Sequence, residues 1–366
     1  MDYVDLLYKL ITIYSPSGQE NVIANQIREW LFSDLMADNA YIDNAGNVIG
    51  IYEGKEPSIL LCGHIDTVVG ELPIQRDKES IHGRGATDAK SPMAAFLCAA
   101  YELRKISFKN KIIVAGVVGE EDIGNGIKEL VRREFKPSYA VFGEPCSLTN
   151  IVIGYRGGIR LSFSFNASSF HASSPWLGKS AVDAALELWT FIKQYNDAST
   201  NKERKFDTVS ACLTRISGGE SHNKSPSSCS MTVDIRFPPS VTSQSIIDGI
   251  QAEAKNICGS KIEFKMETED FTPAYTAPVN SELVKAFKVA IKKVKGVDAI
   301  LVRKTGSGDM NIFGKEVKVP TITFGPGDAK LGHTPYEEVN IKEYLDSIEV
   351  LKEAILDLSN RTERLP

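Results

Sequence analysis

Residues that could bind a divalent metal ion stand at the ends of three short apolar runs of this sequence. ILLCGHIDT (59–67) contains His64 and Asp66, IIVAGVVGEE (112–121) ends in Glu120 and Glu121, and YAVFGEP (139–145) contains Glu144. Ligands of open α/β sheets bind beyond the carboxyl ends of the strands. One such ending would be unremarkable, but three of them predict a metal site at one edge of a sheet.

Two further candidates lie in glycine-rich loops. Asp88 is in GRGATDAK, just before an apolar helical stretch, and His333 is in GPGDAKLGHTPY, just before the last helix. Each has a simpler interpretation, Asp88 as a helix N-cap and His333 as an exposed polar residue. Imidazole and carboxylate groups without thiolates suit Zn²⁺ or another late first-row ion, and a bridging carboxylate can hold two ions about 3.5–4 Å apart.

A pair of ions would acidify a water, which would still need a base to take its proton. Glu120 and Glu121 fit this need, because successive residues at a strand end point in opposed directions. One can then bind metal while the other faces the water, although an exposed acidic turn is the simpler alternative. Asp66, two residues after His64, can hold the imidazole tautomer without being a ligand itself.

Other reaction chemistries lack their motifs. The sequence has no His-Glu-x-x-His helix, the segment LGKSA (177–181) lacks the earlier glycine of a phosphate loop, and TGSGD (305–309) lacks the first glycine of a nucleophile elbow. Hydrolysis at a metal centre is therefore the favoured chemistry.

Composition narrows the class of protein. The 366 residues include 42% hydrophobic and 24% charged side chains, with a formal net charge of -5, which indicates no nucleic-acid binding. The first residues are not expected to act as a secretory signal, and no run approaches the ~18 apolar residues of a membrane span. The six cysteines have no Cys-x-x-Cys spacing, so free thiols and a cytoplasmic location are expected.

The pattern of apolar residues predicts an α/β fold with two domains. Residues 1–158 alternate helical stretches with apolar runs, including 57–62, 111–118 and 138–143, which predicts a mainly parallel sheet flanked by helices. The same character returns in 272–366, which ends in a helix with apolar residues at Ile341, Tyr344, Leu345, Ile348, Leu351, Ile355 and Leu358. Residues 1–158 and 272–366 are thus expected to form one catalytic domain.

Residues 159–271 have a different pattern, in which strands alternate apolar and polar side chains. Examples are the runs 159–165, 231–237 and 262–266, with a fourth strand near 207–216. Helical stretches at Ser180–Tyr195 and Thr242–Cys258 complete the order β-α-β-β-α-β. That order predicts an inserted ferredoxin-like α+β domain.

In order along nearly the whole chain, GHIDTV, GRGATDAK, GEED, FGEP and GHTP closely resemble the M20 metallopeptidase family. The resemblance implies one metal held by His64, Asp88 and Glu144, a second held by Asp88, Glu121 and His333, and Glu120 as the base. It implies two Zn or Co ions per subunit and a cis peptide after Asp88. The inserted domain looks like the family's lid and dimerisation module, which implies a homodimer.

The resemblance also implies roles for residues of the inserted domain and the segment 305–309. His171 looks like the lid histidine that reaches across the dimer to stabilise the oxyanion, although it could be an ordinary surface residue. Arg156, Asn223 and Arg236 match positions that grip substrate carboxylates, with structural salt bridges as the alternative for the arginines. Ser307 is expected to line the same pocket.

Within the family the chain looks most like the hydrolases of archaeal lysine and arginine biosynthesis, which release lysine or ornithine from the C-terminal glutamate of a small carrier protein. An acidic carrier would require a basic rim, for which Lys179, Lys224 and Lys330 are candidates. The alternatives are an acetylornithine deacetylase or a succinyl-diaminopimelate desuccinylase. A non-catalytic metal-binding protein is the alternative from another class.

Overall fold

The computed structural model of the chain describes residues 2–133, 136–197 and 205–362. The chain forms two compact units. The first comprises the chain up to Gly154, Ala277–Arg303 and the chain from Ile312 onward, and the second comprises Tyr155–Thr276 and Lys304–Asn311. The segment Lys304–Asn311, which contains Ser307, therefore lies in the second unit. The sequence pattern had placed it in the catalytic domain, as part of residues 272–366.

The strands of the described residues, in chain order, are β1 (Asn39–Ile42), β2 (Val48–Tyr52), β3 (Lys55–His64), β4 (Gln75–Arg76), β5 (Ser80–His82), β6 (Asn110–Val117), β7 (Tyr139–Gly143), β8 (Asn150–Tyr155), β9 (Gly157–Ala167), β10 (Ser210–Gly218), β11 (Ser228–Phe237), β12 (Ile262–Thr272), β13 (Tyr275–Thr276), β14 (Ile300–Lys304), β15 (Thr321–Thr323) and β16 (Glu338–Asn340).

The α-helices are α1 (Tyr3–Thr12), α2 (Asn21–Ser33), α3 (Lys90–Lys105), α4 (Asn125–Arg132), α5 (Ala181–Asp197), α6 (Ser243–Cys258), α7 (Glu282–Lys295), α8 (Asp309–Val317) and α9 (Ile341–Thr362). None of the helices in the described part of the chain is both long and apolar enough to cross a membrane. None of the six cysteines, all of which lie in the described part of the chain, forms a disulfide.

The first unit is built on a sheet with a parallel centre. Seven of its strands lie in the order β1-β2-β6-β3-β7-β15-β8, and β14 also pairs with β8. Strands β6, β3, β7 and β15 are parallel to one another, whereas β1, β2 and β8 pair in the antiparallel sense. The predicted mainly parallel sheet is confirmed, with antiparallel strands added on both sides of its centre.

Burial on both faces explains why the central strands are continuous apolar runs. Residues 58–64 of β3 are all buried, and so are residues 92–100 of α3. In α9 the apolar residues that follow the helical period are buried at Tyr344, Ile348, Leu351, Ile355 and Leu358. Leu345, which the periodicity also placed on the core face, is instead 36% exposed because it lies one position to the side of that row.

The second unit contains a four-stranded antiparallel sheet in the order β10-β11-β9-β12. Along the chain its elements follow the order β9-α5-β10-β11-α6-β12, which confirms the ferredoxin-like order. The alternating apolar residues of β9 and β11 are buried together with residues of α5 and α6 in one core. The two helices therefore cover one face of this sheet.

Candidate metal centre

The parallel centre of the sheet brings three candidate segments to one edge. His64 is the last residue of β3 and pairs in register with Val117 of β6, just before Glu120 and Glu121. On the other side of β3, Gly63 pairs with Gly143 of β7, which directly precedes Glu144. Since parallel strands end at the same edge of a sheet, the three predicted strand ends converge in the structure.

Asp88 lies between two histidines and directs one carboxylate oxygen toward each. Its Oδ1 is 3.2 Å from Nε2 of His64, and its Oδ2 is 3.4 Å from Nε2 of His333. His64 Nε2 also lies 3.8 Å from Oε1 of Glu144, and His333 Nε2 lies 2.6 Å from Oε1 of Glu121. The peptide bond between Asp88 and Ala89 is cis, as the family resemblance implied.

These distances produce two groups of three donors that share one residue. His64, Asp88 and Glu144 form the first group, and Asp88, Glu121 and His333 form the second, with the donor atoms of each group within 4.8 Å of one another. A third group joins Glu120 to His64 and Glu121. The donors are imidazole nitrogens and carboxylate oxygens, a set that suits divalent late transition metals.

Asp66 is a fully buried carboxylate that orients residues of the cluster. Its oxygens accept the backbone N–H groups of Glu120 and Glu121 at 3.2 and 3.1 Å and the Ser17 hydroxyl at 2.7 Å, and Oδ1 lies 3.3 Å from His64 Nδ1. Burial alone would raise the pKa of Asp66, but the bonds from His64, Ser17 and the Glu121 amide lower it to about 2. Asp66 therefore stays ionised and holds both the imidazole and the Glu120–Glu121 turn.

The carboxylates of the cluster favour positive charge at its centre. Burial would lower the pKa of His64, but hydrogen bonds to Asp66 and Asp88 raise it well above its ordinary value. The hydrogen bond to Glu121 raises the pKa of His333 in the same direction, against the effect of burial. A divalent cation placed among these groups would meet the same favourable field.

The loop that carries His333 lies close against Asp88. His333 has φ 64°, in the left-handed region that costs energy for a residue with a side chain. At the preceding Gly332, an added Cβ would stand 2.8 Å from Asp88 Oδ2. Glycine at this position therefore allows the loop to approach the bridging carboxylate.

Glu337 is a residue of this region that the sequence reasoning missed. It is 2% exposed, its Oε1 accepts the backbone N–H groups of Gly85, Thr87 and Asp88, and its Oε2 is 2.7 Å from Nη1 of Arg84. Burial raises the pKa of Glu337, while the Asp88 amide and Arg84 act in the opposite direction. The available signal was the pair of glutamates in GHTPYEEVN, of which one is buried beside the site.

In the second unit, His171 and Asn223 lie on paired segments. The backbone N–H of Ala172 donates to the Asn223 carbonyl at 3.0 Å. The side chains of His171 and Asn223 are exposed. The Ser173 backbone N–H donates to Nδ1 of His171 at 3.1 Å. The same nitrogen lies 2.7 Å from the Ser173 hydroxyl. In the tautomer that accepts hydrogen bonds at Nδ1, the proton is on Nε2, which can donate to an oxyanion.

Arg236 and Ser307 are also neighbours in the second unit. Arg236 forms a two-point ion pair with Asp234, at 2.8 and 3.0 Å, and donates to the Ser307 hydroxyl. Arg156 is buried and donates to the carbonyls of Thr305, Lys205 and Thr208 and to the Ser210 hydroxyl. Burial and the neighbouring charge of Arg236 lower the pKa of Arg156.

The three lysines expected to form a basic rim differ in their partners. Lys179 contacts Glu187 at 2.6 Å, and Lys224 lies 4.0 Å from Glu220. Lys330 is exposed and forms no ion pair within the described ranges. Two of the three positive charges are therefore already compensated within the chain.

A sequence model of peptidase family M20/M25/M40 matches residues 60–357. This match covers most of the chain and includes every residue of the two donor groups. The chain belongs to peptidase family M20.

Relatives with similar sequences extend over the same length. A protein of Pyrococcus furiosus, named provisionally as a LysW-lysine/LysW-ornithine hydrolase, is 36% identical over 368 residues, which cover 98% of this chain and 97% of the relative. The LysW-lysine/LysW-ornithine hydrolase of Saccharolobus solfataricus is 30% identical over 354 residues, covering 97% and 95%. An M20 family metallo-carboxypeptidase of Sulfolobus solfataricus shares the fold, with a TM-score of 0.81 at 17% identity over 98% and 99% of the two chains.

Proposed function

We propose that this chain is an amide hydrolase that releases lysine or ornithine from the C-terminal glutamate of an acidic amino-group carrier protein, in the biosynthesis of lysine and arginine. The observation that carries the hydrolase assignment is Asp88, which presents one oxygen to each of two histidine-containing donor groups. The substrate assignment rests on the LysW-linked substrates for which the relatives are named. As a biosynthetic step, the reaction belongs in the cytoplasm.

The donor set fits two divalent ions, Zn²⁺ or Co²⁺, with Asp88 as the bridge. One would be held by His64, Asp88 and Glu144 and the other by Asp88, Glu121 and His333. When bound, such ions polarise a carbonyl oxygen and acidify water. The absence of thiolates from both groups agrees with this choice of metals.

Glu120 is the proposed general base. Its carboxylate lies in one donor group with His64 and Glu121, while its backbone N–H is held by Asp66. It would take a proton from the attacking water and pass it to the leaving α-amino group. His171, in the tautomer with its proton on Nε2, is the proposed donor to the oxyanion of the scissile amide, supplied from the inserted unit of a partner subunit.

Substrate carboxylates would be bound by residues of the inserted unit. Arg236 is partly exposed and sits beside the Ser307 hydroxyl, so both can contact a carboxylate. Asn223 is exposed beside the His171 segment. Arg156 donates to three backbone carbonyls, and we assign it a supporting role beside Arg236, by its charge and by shaping segment 205–210.

Exposed apolar residues on the ligand-bearing loops support a protein-linked substrate. Val69 follows His64 and Asp66, Ile123 follows Glu121, and Tyr336 follows His333, and these three side chains are 83%, 59% and 78% exposed. Arg84 donates to the carbonyls of Gly70 and Thr334 and so holds two of these loops together. Apolar side chains around a site offer contact area to a macromolecular substrate. An N-acyl amino acid is too small to cover that area.

A homodimer through the inserted unit is part of the proposal. Strands β10 and β12 are the outer strands of its sheet, and Ile216 of β10 is 45% exposed. Outer strands with apolar side chains are suited to pairing with a second copy. Light scattering of the purified chain should give twice the chain mass, and a monomer that hydrolyses the carrier-linked substrate would contradict this part.

The test of the function is an assay of the purified chain with Zn²⁺ or Co²⁺ against four substrates: carrier-linked lysine, carrier-linked ornithine, acetylornithine and succinyl-diaminopimelate. We expect free lysine or ornithine from the carrier-linked substrates, and none after the metal is removed by a chelator. Rapid turnover of either small substrate, with none on the carrier, would show that the substrate assignment is wrong. No turnover of any of the four would contradict the hydrolase assignment.

A further inference from the structure

One buried carboxylate joins the Asp88 loop to the His333 loop. Glu337 Oε1 accepts the N–H of Gly85 at 3.0 Å, of Thr87 at 3.2 Å and of Asp88 at 3.0 Å. The backbone adds to this connection, because the Gly83 N–H donates to the Glu337 carbonyl at 3.1 Å. Residues 83–88 are therefore fastened to the residue that lies four positions after His333.

Arg84 completes the connection from the other side. Its Nη1 is 2.7 Å from Glu337 Oε2, its Nε donates to the Gly70 carbonyl at 2.9 Å, and Nη1 also lies 3.4 Å from the Thr334 carbonyl. One guanidinium thus contacts the loop after Asp66, the loop after His333 and the carboxylate of Glu337. A planar group with several fixed donors suits such a junction.

Glu337 is placed to act through its neighbours and not as a ligand. It is absent from the three donor groups found among the described residues, and both of its oxygens are already hydrogen-bonded. Asp88 Oδ2 and His333 Nε2, in contrast, are 3.4 Å apart and face each other in the second donor group. Because His333 and Asp88 are distant in sequence, their spacing depends on bonds between the two loops.

We propose that Glu337 and Arg84 act as positioning residues, which set the spacing of Asp88 and His333 before a metal binds and thereby determine the affinity of the group formed by Asp88, Glu121 and His333. This inference rests on the proposed two-metal function. Partners that orient ligands in this way typically change metal affinity by about 10–100-fold when they are lost.

The test is a Co²⁺ titration of the metal-free protein, followed by visible absorption and calorimetry, for the parent and Glu337→Gln. Glutamine keeps one oxygen for the amides but presents an NH₂ group to Arg84, a donor facing a donor. In protein shown to be folded by circular dichroism, we expect one of the two Co²⁺ ions to bind about 10–100-fold more weakly. The absorption bands of that ion should also shift, which a loss of stability alone would not cause.

Glu338→Gln is the matched control, since it removes the same charge one residue away. The Glu338 side chain contacts His82 at 3.1 Å and is 40% exposed. This control should bind two Co²⁺ ions like the parent. A folded Glu337→Gln protein with parental affinities and spectrum would overturn the proposal.

If Glu337→Gln does not fold, Arg84→Lys provides the second test. Lysine keeps the charge but cannot reach Glu337, Gly70 and Thr334 together, so weaker binding of the same ion is expected. Parental affinities in folded Arg84→Lys would then overturn the proposal. Failure of the parent to bind two ions would instead count against the two-metal function, so the two failures can be told apart.

Discussion

At the scale of residues, two adjacent glutamates of identical chemistry occupy different positions in the cluster. Glu121 contacts His333 at 2.6 Å and belongs to the second donor group, whereas Glu120 is grouped with His64 and Glu121. Both backbone N–H groups are held by Asp66. The turn is thus oriented by one buried carboxylate, and the two side chains can perform separate tasks.

Glu120→Gln should reduce kcat by about 10²–10⁴-fold, because it removes a proton acceptor without removing a ligand. Its metal content, measured by elemental analysis after dialysis, should remain at two ions per chain. Glu121→Gln is the matched comparison and should lower the metal content as well as the rate. If the Glu120→Gln protein turned over substrate at the parental rate, another residue would have to be the base. If the variant protein lost both metal ions, Glu120 would be a metal ligand.

The ligand candidates were accessible from sequence because each follows an apolar run or lies in a glycine-rich loop. The strand-end rule indicates where such side chains gather without any knowledge of their distances. Glu337 was not accessible in this way, because apart from Arg84 its partners are the backbone N–H groups of Gly85, Thr87 and Asp88, which lie 249 to 252 positions earlier. The partner of a backbone N–H group cannot be read from the types of the residues that carry it.

At the scale of elements, an ion pair joins helices α7 and α9, and a lysine of α9 itself contacts the same carboxylate. Lys295 at the end of α7 lies 2.6 Å from Asp346 of α9, and Lys342 lies 2.7 Å from the same oxygen. Burial alone would raise the pKa of Asp346, but these two lysines lower it. The parallel strand pattern was predictable from apolar runs, whereas such cross-element pairs depend on how the helices meet.

Asp346→Asn should lower the free energy of unfolding by about 1 kcal/mol at neutral pH. The side chains of Asp346 and Lys295 are 20% and 27% exposed and that of Lys342 is 78% exposed, so water screens these charges only in part. The folded-state pKa is below the unfolded value of about 3.9, so the stabilisation is present above that pH and disappears as the pH falls through the folded-state pKa. Urea unfolding at pH 7 and near pH 3 would measure the difference.

The control for this pair is Glu349→Gln in the same helix. Glu349 contacts Lys352 at 2.6 Å within α9 and is 50% exposed, so its loss should change stability little at either pH. An Asp346→Asn effect that does not shrink at low pH would mean that the aspartate stabilises the helices by something other than its charge.

At the scale of the whole molecule, the chain leaves the first unit at Gly154 and returns to it at Ala277. The change from continuous to alternating apolar patterns predicts an inserted domain at residues 159–271. The segment Lys304–Asn311 could not be assigned in the same way, because its membership of the second unit depends on contacts such as the Asn311 amide with the carbonyls of Arg156 and Pro273. The local pattern of apolar and polar residues does not reveal such long-range hydrogen bonds.

Tyr336→Ala should raise KM for carrier-linked lysine by about tenfold or more while leaving kcat and metal content near parental values, since Tyr336 is proposed to contact the carrier body. Phe32→Ala removes an aromatic side chain of α2 that is 54% exposed, and it should leave KM unchanged. Steady-state kinetics would measure both. An unchanged KM of the Tyr336→Ala protein would show that this tyrosine does not contact the carrier.

The position of the insertion also affects when each donor group is completed while the ribosome synthesises the chain. His64, Asp88, Glu121 and Glu144 all precede Gly154, whereas His333 follows the return of the chain to the first unit. A ribosome makes the chain from its N-terminus, so the group His64, Asp88 and Glu144 is complete long before Asp88, Glu121 and His333 can assemble. A nascent or truncated chain that stops before residue 333 therefore has every donor of one group and only two of the other.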